Sequence, residues 1–74
     1  MTGRPLYRRI ADEIADDIRS GKLAAGRPSP STRQIVRDWS VAMATATKVI
    51  GALRADGLVE TIPGSGTMVR RRNA

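Results

Sequence analysis

The sequence predicts a mainly α fold with a small β-hairpin (α+β): a winged helix-turn-helix of three helices and a two- or three-stranded antiparallel wing. Three observations carry this. Apolar residues recur at helical spacing in three separate stretches, an N-capped short stretch leads through a turn into the last of them, and two strand-like runs then flank a Gly-rich turn. The 74 residues amount to one small domain, 1–74, with little room for a deep catalytic cavity.

The first helix is expected over about 5–19, where Leu6, Tyr7, Ile10, Ala11, Ile14, Ala15 and Ile18 form one stripe. Pro5 suits the first turn and Gly21 the C-terminal stop. The acids on its polar face read as a solvated surface rather than an acid/base pair. Lys22 to Ser29, with Gly26 and Pro28, reads as a loop holding at most a very short strand.

Ser31-Thr32-Arg33-Gln34 fits the S-x-x-Q capping box and starts a second helix over about 31–39 that buries Ile35, Val36 and Trp39. Trp39, the single tryptophan in a chain without Phe, is expected in the core rather than stacked on a base. The third helix, about 43–56, buries Ala46, Val49, Ile50 and Leu53, and Gly57 takes the left-handed position beyond its end. Its outer face then holds Met43, Ala44, Thr47, Lys48, Gly51 and Arg54, with Thr45 near the edge and Ala42 at the helix start.

A helix with such a face fits a DNA major groove: small residues allow close approach, Ala, Thr and Met can touch thymine methyls, and Lys48 can reach a phosphate or a guanine edge. The wing is expected over about 58–70, with Gly64, Ser65 and Gly66 at its tip offering backbone amides to a phosphate, followed by a basic tail over 70–74. Ser31, Thr32 and Arg37 on the second helix, and Arg70 and Arg71 after the wing, are candidate phosphate contacts.

Charge supports a polyanionic partner. The net charge is +6, yet the first helix carries Arg8, Arg9 and Arg19 against Asp12, Glu13, Asp16 and Asp17, so the positive excess lies outside it. No Cys and no His are present, which removes the usual thiol, imidazole and zinc chemistry; no enzyme activity, metal or cofactor is expected. No apolar run approaches the roughly 18 residues that span a bilayer, and the start lacks a signal-peptide pattern, so a cytoplasmic, DNA-associated protein without membrane contact is expected.

The ordered set Pro5-Leu6-Tyr7 with Ile10-Ala11, Ser20-Gly21-Lys22-Leu23, Gly26, Pro30-Ser31 with Arg33, Val41 with Thr45, Leu53, Asp56-Gly57-Leu58-Val59 and Gly64-Ser65-Gly66-Thr67 resembles the N-terminal DNA-binding domain of GntR-type bacterial regulators. The segment Val41 to Lys48 is similar to a group of actinobacterial members. The resemblance implies a repressor that binds double-stranded operator DNA, usually an inverted repeat, as a homodimer. It also implies a small-molecule effector bound by a C-terminal domain that these residues do not encode. By position, Arg33 matches a helix-two arginine that approaches DNA, Thr45 a recognition-helix threonine, and Gly64 to Gly66 the wing tip.

Departures from the family pattern matter as much. Ala42, Met43 and Thr47 stand where many members have Ser, Arg and a second Arg, so the arginine readout does not carry over, and Ala42 lacks the capping hydroxyl. Pro28 and Ser29 replace a common Arg-Leu pair, which allows the wing to be two-stranded. The alternative reading is a winged helix used for protein contact or nonspecific nucleic-acid binding.

Overall fold

The computed structural model describes residues 3–70. The chain forms α1 (Leu6–Arg19), α2 (Thr32–Trp39), α3 (Met43–Ala55), β1 (Val59–Ile62) and β2 (Gly66–Val69), in that order. This is the winged helix-turn-helix that the sequence predicts, with boundaries within a residue or two. Pro5 lies just outside α1 as its N-cap, and its carbonyl accepts from the Arg8 and Arg9 amides at 2.9 and 3.2 Å.

Both α1 and α2 pack on α3, and the core sits between them. Ile10, Ala11, Ile14 and Ala15 from α1 meet Ile35 from α2, Ala46, Val49, Ile50 and Leu53 from α3, and Val59 from β1. The α3 stripe is therefore the one read from i, i+3, i+4 and i+7 spacing. Removing these aliphatic side chains from water is the main force that holds so small a domain together.

α3 ends in a Schellman arrangement. Gly57, at φ +76°, donates to the Arg54 carbonyl, and Leu58 donates to the Leu53 carbonyl, each at 3.0 Å. That reversal sends the chain directly into β1. Val59 pairs with Val69, Glu60 with Met68, Thr61 with Thr67 and Ile62 with Gly66 in an antiparallel register. Buried Val59 and Val69 fasten the base of the hairpin, while its tip stands in solvent.

The segment from Gly26 to Ser29 lies along the free side of β2 as a rudimentary third strand, joined by the single bridge Pro28 to Met68. Gly26 donates to the Val69 carbonyl at 2.9 Å, Val69 to the Arg27 carbonyl at 2.8 Å, and Ser29 to the Thr67 carbonyl at 3.0 Å. Pro28 thus occupies a non-hydrogen-bonded position of the ladder, where its missing N–H costs nothing. The wing sheet itself is two-stranded.

One expectation fails. Trp39 is not a core residue: it is 39% exposed, and the interior is filled by aliphatic side chains. Trp39 follows Ile35 on the same helical face, but it is the last residue of α2, where the apolar stripe has run past the edge of the core. The next residue, Ser40, turns the chain with φ 53° and ψ 48°, a left-handed conformation that glycine adopts far more readily.

Candidate nucleic-acid interface

The start of α2 is built by Ser31, whose hydroxyl accepts the Gln34 amide at 3.1 Å, satisfying one of the donors that a helix start leaves open. Arg33 and Arg37 project into solvent from this helix, Ser31 is exposed, and Thr32 is half-buried. Val41 and Ala42 carry the chain into α3. Ala42 provides no side-chain cap, as its identity requires.

Along α3 the structure brings Met43, Ala44, Thr47, Lys48 and Gly51 to the exposed face, together with Ala42 at its start, and leaves Thr45 half-buried at the edge. Met43 is the one exposed large apolar side chain of α3, at 51%. Gly51 is informative for a different reason. A Cβ built there meets nothing within 4 Å, so packing gives no cause for a glycine, and a helix interior pays about 0.5–1 kcal/mol relative to alanine to hold one.

Two cations predicted on this face are engaged with neighbouring elements. Arg54 donates from Nη2 to Thr61 Oγ1 at 2.8 Å, linking the last turn of α3 to β1. Lys48 leans toward α1, with Nζ 5.8 Å from the centroid of the Tyr7 ring, a cation–π distance. Thr61 and Tyr7 carry no sequence signal for these roles; each depends on which element the fold lays beside α3.

At the wing tip the Ser65 amide donates to the Ile62 carbonyl at 3.0 Å. Pro63 and Gly64 occupy the middle of that turn, with Gly64 at φ +82°, the sign a type II turn needs at its third residue. Gly64, Ser65 and Gly66 are all exposed. Arg70 leaves the sheet with its amide donating to the Leu58 carbonyl at 2.8 Å. Arg71 and the remainder of the basic tail lie outside the described residues.

The first helix presents the opposite electrostatic character. Asp12 pairs with Arg4 and, at 3.4 Å, with Arg8; Asp16 lies 3.8 Å from Arg19. Arg8 also reaches Asp56 at 3.0 Å, linking the start of α1 to the end of α3 at the surface. Among the described residues no group of His, Cys, Asp and Glu is placed to hold a metal ion, and no helix is long and apolar enough to cross a membrane.

Relatives share this arrangement. The mannosyl-D-glycerate transport/metabolism system repressor MngR of Escherichia coli (strain K12) is 34% identical over 70 residues, 95% of this chain and 29% of that protein. The present chain thus spans less than a third of the length of that relative. A solved putative GntR-family transcriptional regulator superposes with a TM-score of 0.89 at 34% identity, covering 96% of this chain and 28% of the other. AraR(DBD), solved in complex with operator ORR3, gives a TM-score of 0.82 at 29% identity over 92% of this chain and 82% of its own. Residues 6–69 match the family model described as bacterial regulatory proteins, gntR family. That match takes in all three helices and the wing, and the chain belongs to the gntR family of bacterial regulatory proteins.

Proposed function

We propose that this chain is the operator-binding module of a transcriptional regulator, a repressor, with α3 in the DNA major groove and the wing on the adjacent backbone or minor groove. The observation that carries the reading is the exposed strip Ala44, Thr47 and Gly51 on α3, whose small side chains allow close approach to base edges and which includes a glycine the fold does not require. AraR(DBD), a relative of the same fold, is solved on an operator.

In this reading Met43, Ala44, Thr45, Thr47 and Lys48 form the groove side of α3 with Ala42 at its start. Arg33, Ser31, Thr32 and Arg37 approach the backbone from α2, and Gly64 to Gly66 do so from the wing, joined by Arg70 and Arg71. Small and apolar side chains dominate the readout face, so sequence is read through methyl contacts, DNA shape and the spacing of two half-sites. Homodimerisation on an inverted repeat and control by a small-molecule effector belong to the longer protein, in keeping with the share of MngR that this chain covers. A DNA-binding regulator of this kind acts in the cytoplasm.

Selection of bound sequences from a random duplex pool at about 150 mM salt tests the proposal, since nonspecific electrostatic binding is already weakened there. Enrichment of a short motif supports it. Recovery of unenriched DNA by the folded chain contradicts sequence-specific recognition, and recovery of none contradicts a DNA partner.

A further inference from the structure

Between the N-terminal turn of α1 and residues 48–55 of α3 lies an open cleft of about 450 Å³, lined by Tyr7, Arg8, Lys48, Ala52 and Ala55. Its charges are unequal in availability. Arg8 is bound on both sides, to Asp12 at 3.4 Å and to Asp56 at 3.0 Å, so its charge is matched by carboxylates. None of the ion pairs among the described residues includes Lys48, which rests instead over the Tyr7 ring at 5.8 Å. A ring face orients an ammonium without neutralising it. Ala52 and Ala55 add only methyl groups to its lining.

We propose that this cleft is a phosphodiester site: Lys48 Nζ and the Tyr7 hydroxyl together hold one backbone phosphate of the DNA strand that passes on the α1 side of α3. The inference rests on the DNA-binding reading above and deepens it. Lys48 becomes a positional contact that carries no base information, and Tyr7, which neither the sequence motifs nor the exposed face of α3 singled out for binding, becomes a second contact. The strip Ala44, Thr47 and Gly51 is then bracketed by the wing, tied to α3 through Arg54 and Thr61, and by this cleft on the other side. Two phosphate rails flanking a neutral reading strip compensate for the missing arginine readers.

The test uses the full 74-residue chain and the duplex recovered by selection. Affinity is measured across a salt series for wild type, Lys48→Ala, Lys48→Arg and Tyr7→Phe, with circular dichroism to verify folding. Loss of one phosphate contact lowers the salt slope by about one unit in Lys48→Ala and leaves base preference unchanged, whereas Lys48→Arg keeps the slope. Tyr7→Phe keeps the ring and the charge, so it weakens binding about three- to tenfold with the slope intact, as expected for a neutral donor. Neutral methylphosphonates placed singly along the duplex locate the contact: one position weakens wild type and leaves Lys48→Ala indifferent.

Relaxed preference at a base pair in Lys48→Ala assigns Lys48 to base reading and overturns the proposal, as do unchanged affinities in Lys48→Ala and Tyr7→Phe. Both outcomes leave operator binding standing. Failure of wild type to bind any duplex is a different result: it removes the DNA-binding reading itself, and the phosphate site with it.

Discussion

Arg54 and Thr61 join the recognition helix to the wing: the guanidinium in the last turn of α3 donates to the threonine hydroxyl on β1 at 2.8 Å. Beyond buried Val59 the rest of β1 is exposed, so this bond is a polar tie on the arm above an apolar base. Both partners are at the surface, where such a bond adds about 0.5–1 kcal/mol to stability. Arg54→Ala and Thr61→Val should each lower unfolding stability by no more than that amount. The double variant should lose little beyond either single one, because both remove the same contact. Urea unfolding of the four proteins in the cycle measures it; additive losses would show the two residues acting independently.

Gly51→Ala separates stability from recognition. The added methyl meets open space, and alanine is the better helix former, so the variant should be more stable by about 0.5–1 kcal/mol. Should the α3 face lie against base edges, the same methyl weakens DNA binding. Thermal unfolding and duplex affinity measured side by side check the pair, and a variant that gains stability with unchanged affinity would place Gly51 away from the contact.

Ser40 holds the turn between α2 and α3 at φ 53° with a side chain present. Ser40→Gly should stabilise the fold by up to about 1 kcal/mol, since glycine adopts this conformation without the Cβ penalty, and a β-branched Ser40→Val should destabilise it by about 1–2 kcal/mol. Unfolding midpoints read both, and the two signs must differ.

Trp39 at the rim and Ile35 at the centre give a contrast on one helix. Ile35 is 1% exposed and Trp39 39%. Ile35→Ala should cost about 2–5 kcal/mol, the range for a buried aliphatic truncation, and Trp39→Ala clearly less despite removing more atoms. In the folded wild type, Trp39 fluorescence should be open to quenching by acrylamide.

The helices were legible because each writes its buried stripe locally: Ile10, Ala11, Ile14 and Ala15 on α1, Ala46, Val49, Ile50 and Leu53 on α3. The stops at Gly21 and Gly57 and the Ser31 cap were equally local, each one residue with one conformational or hydrogen-bonding demand. The place of Trp39 is not written in its identity, which suggests burial; it depends on where α2 ends over α3. Pro28 pointed correctly to a two-stranded wing, while its single bridge to Met68 follows from the register, in which its ladder position asks for no N–H. The same limit applies to the interface. Helical spacing placed Met43, Ala44, Thr47, Lys48 and Gly51 on the outer face, whereas the pairings Arg54 with Thr61 and Lys48 with Tyr7 join residues far apart in sequence and follow from tertiary packing alone.

In the proposed DNA complex, α3 and the wing face the duplex and the acidic side of α1 is turned away from it. Titration of the isotope-labelled chain with its selected duplex, followed by amide chemical shifts, tests this residue by residue. Large shifts are expected over Met43 to Gly51, Ser31 to Arg33 and Gly64 to Gly66, with Glu13, Asp16 and Asp17 unmoved. Shifts concentrated on the polar side of α1, or absent from α3, would contradict it.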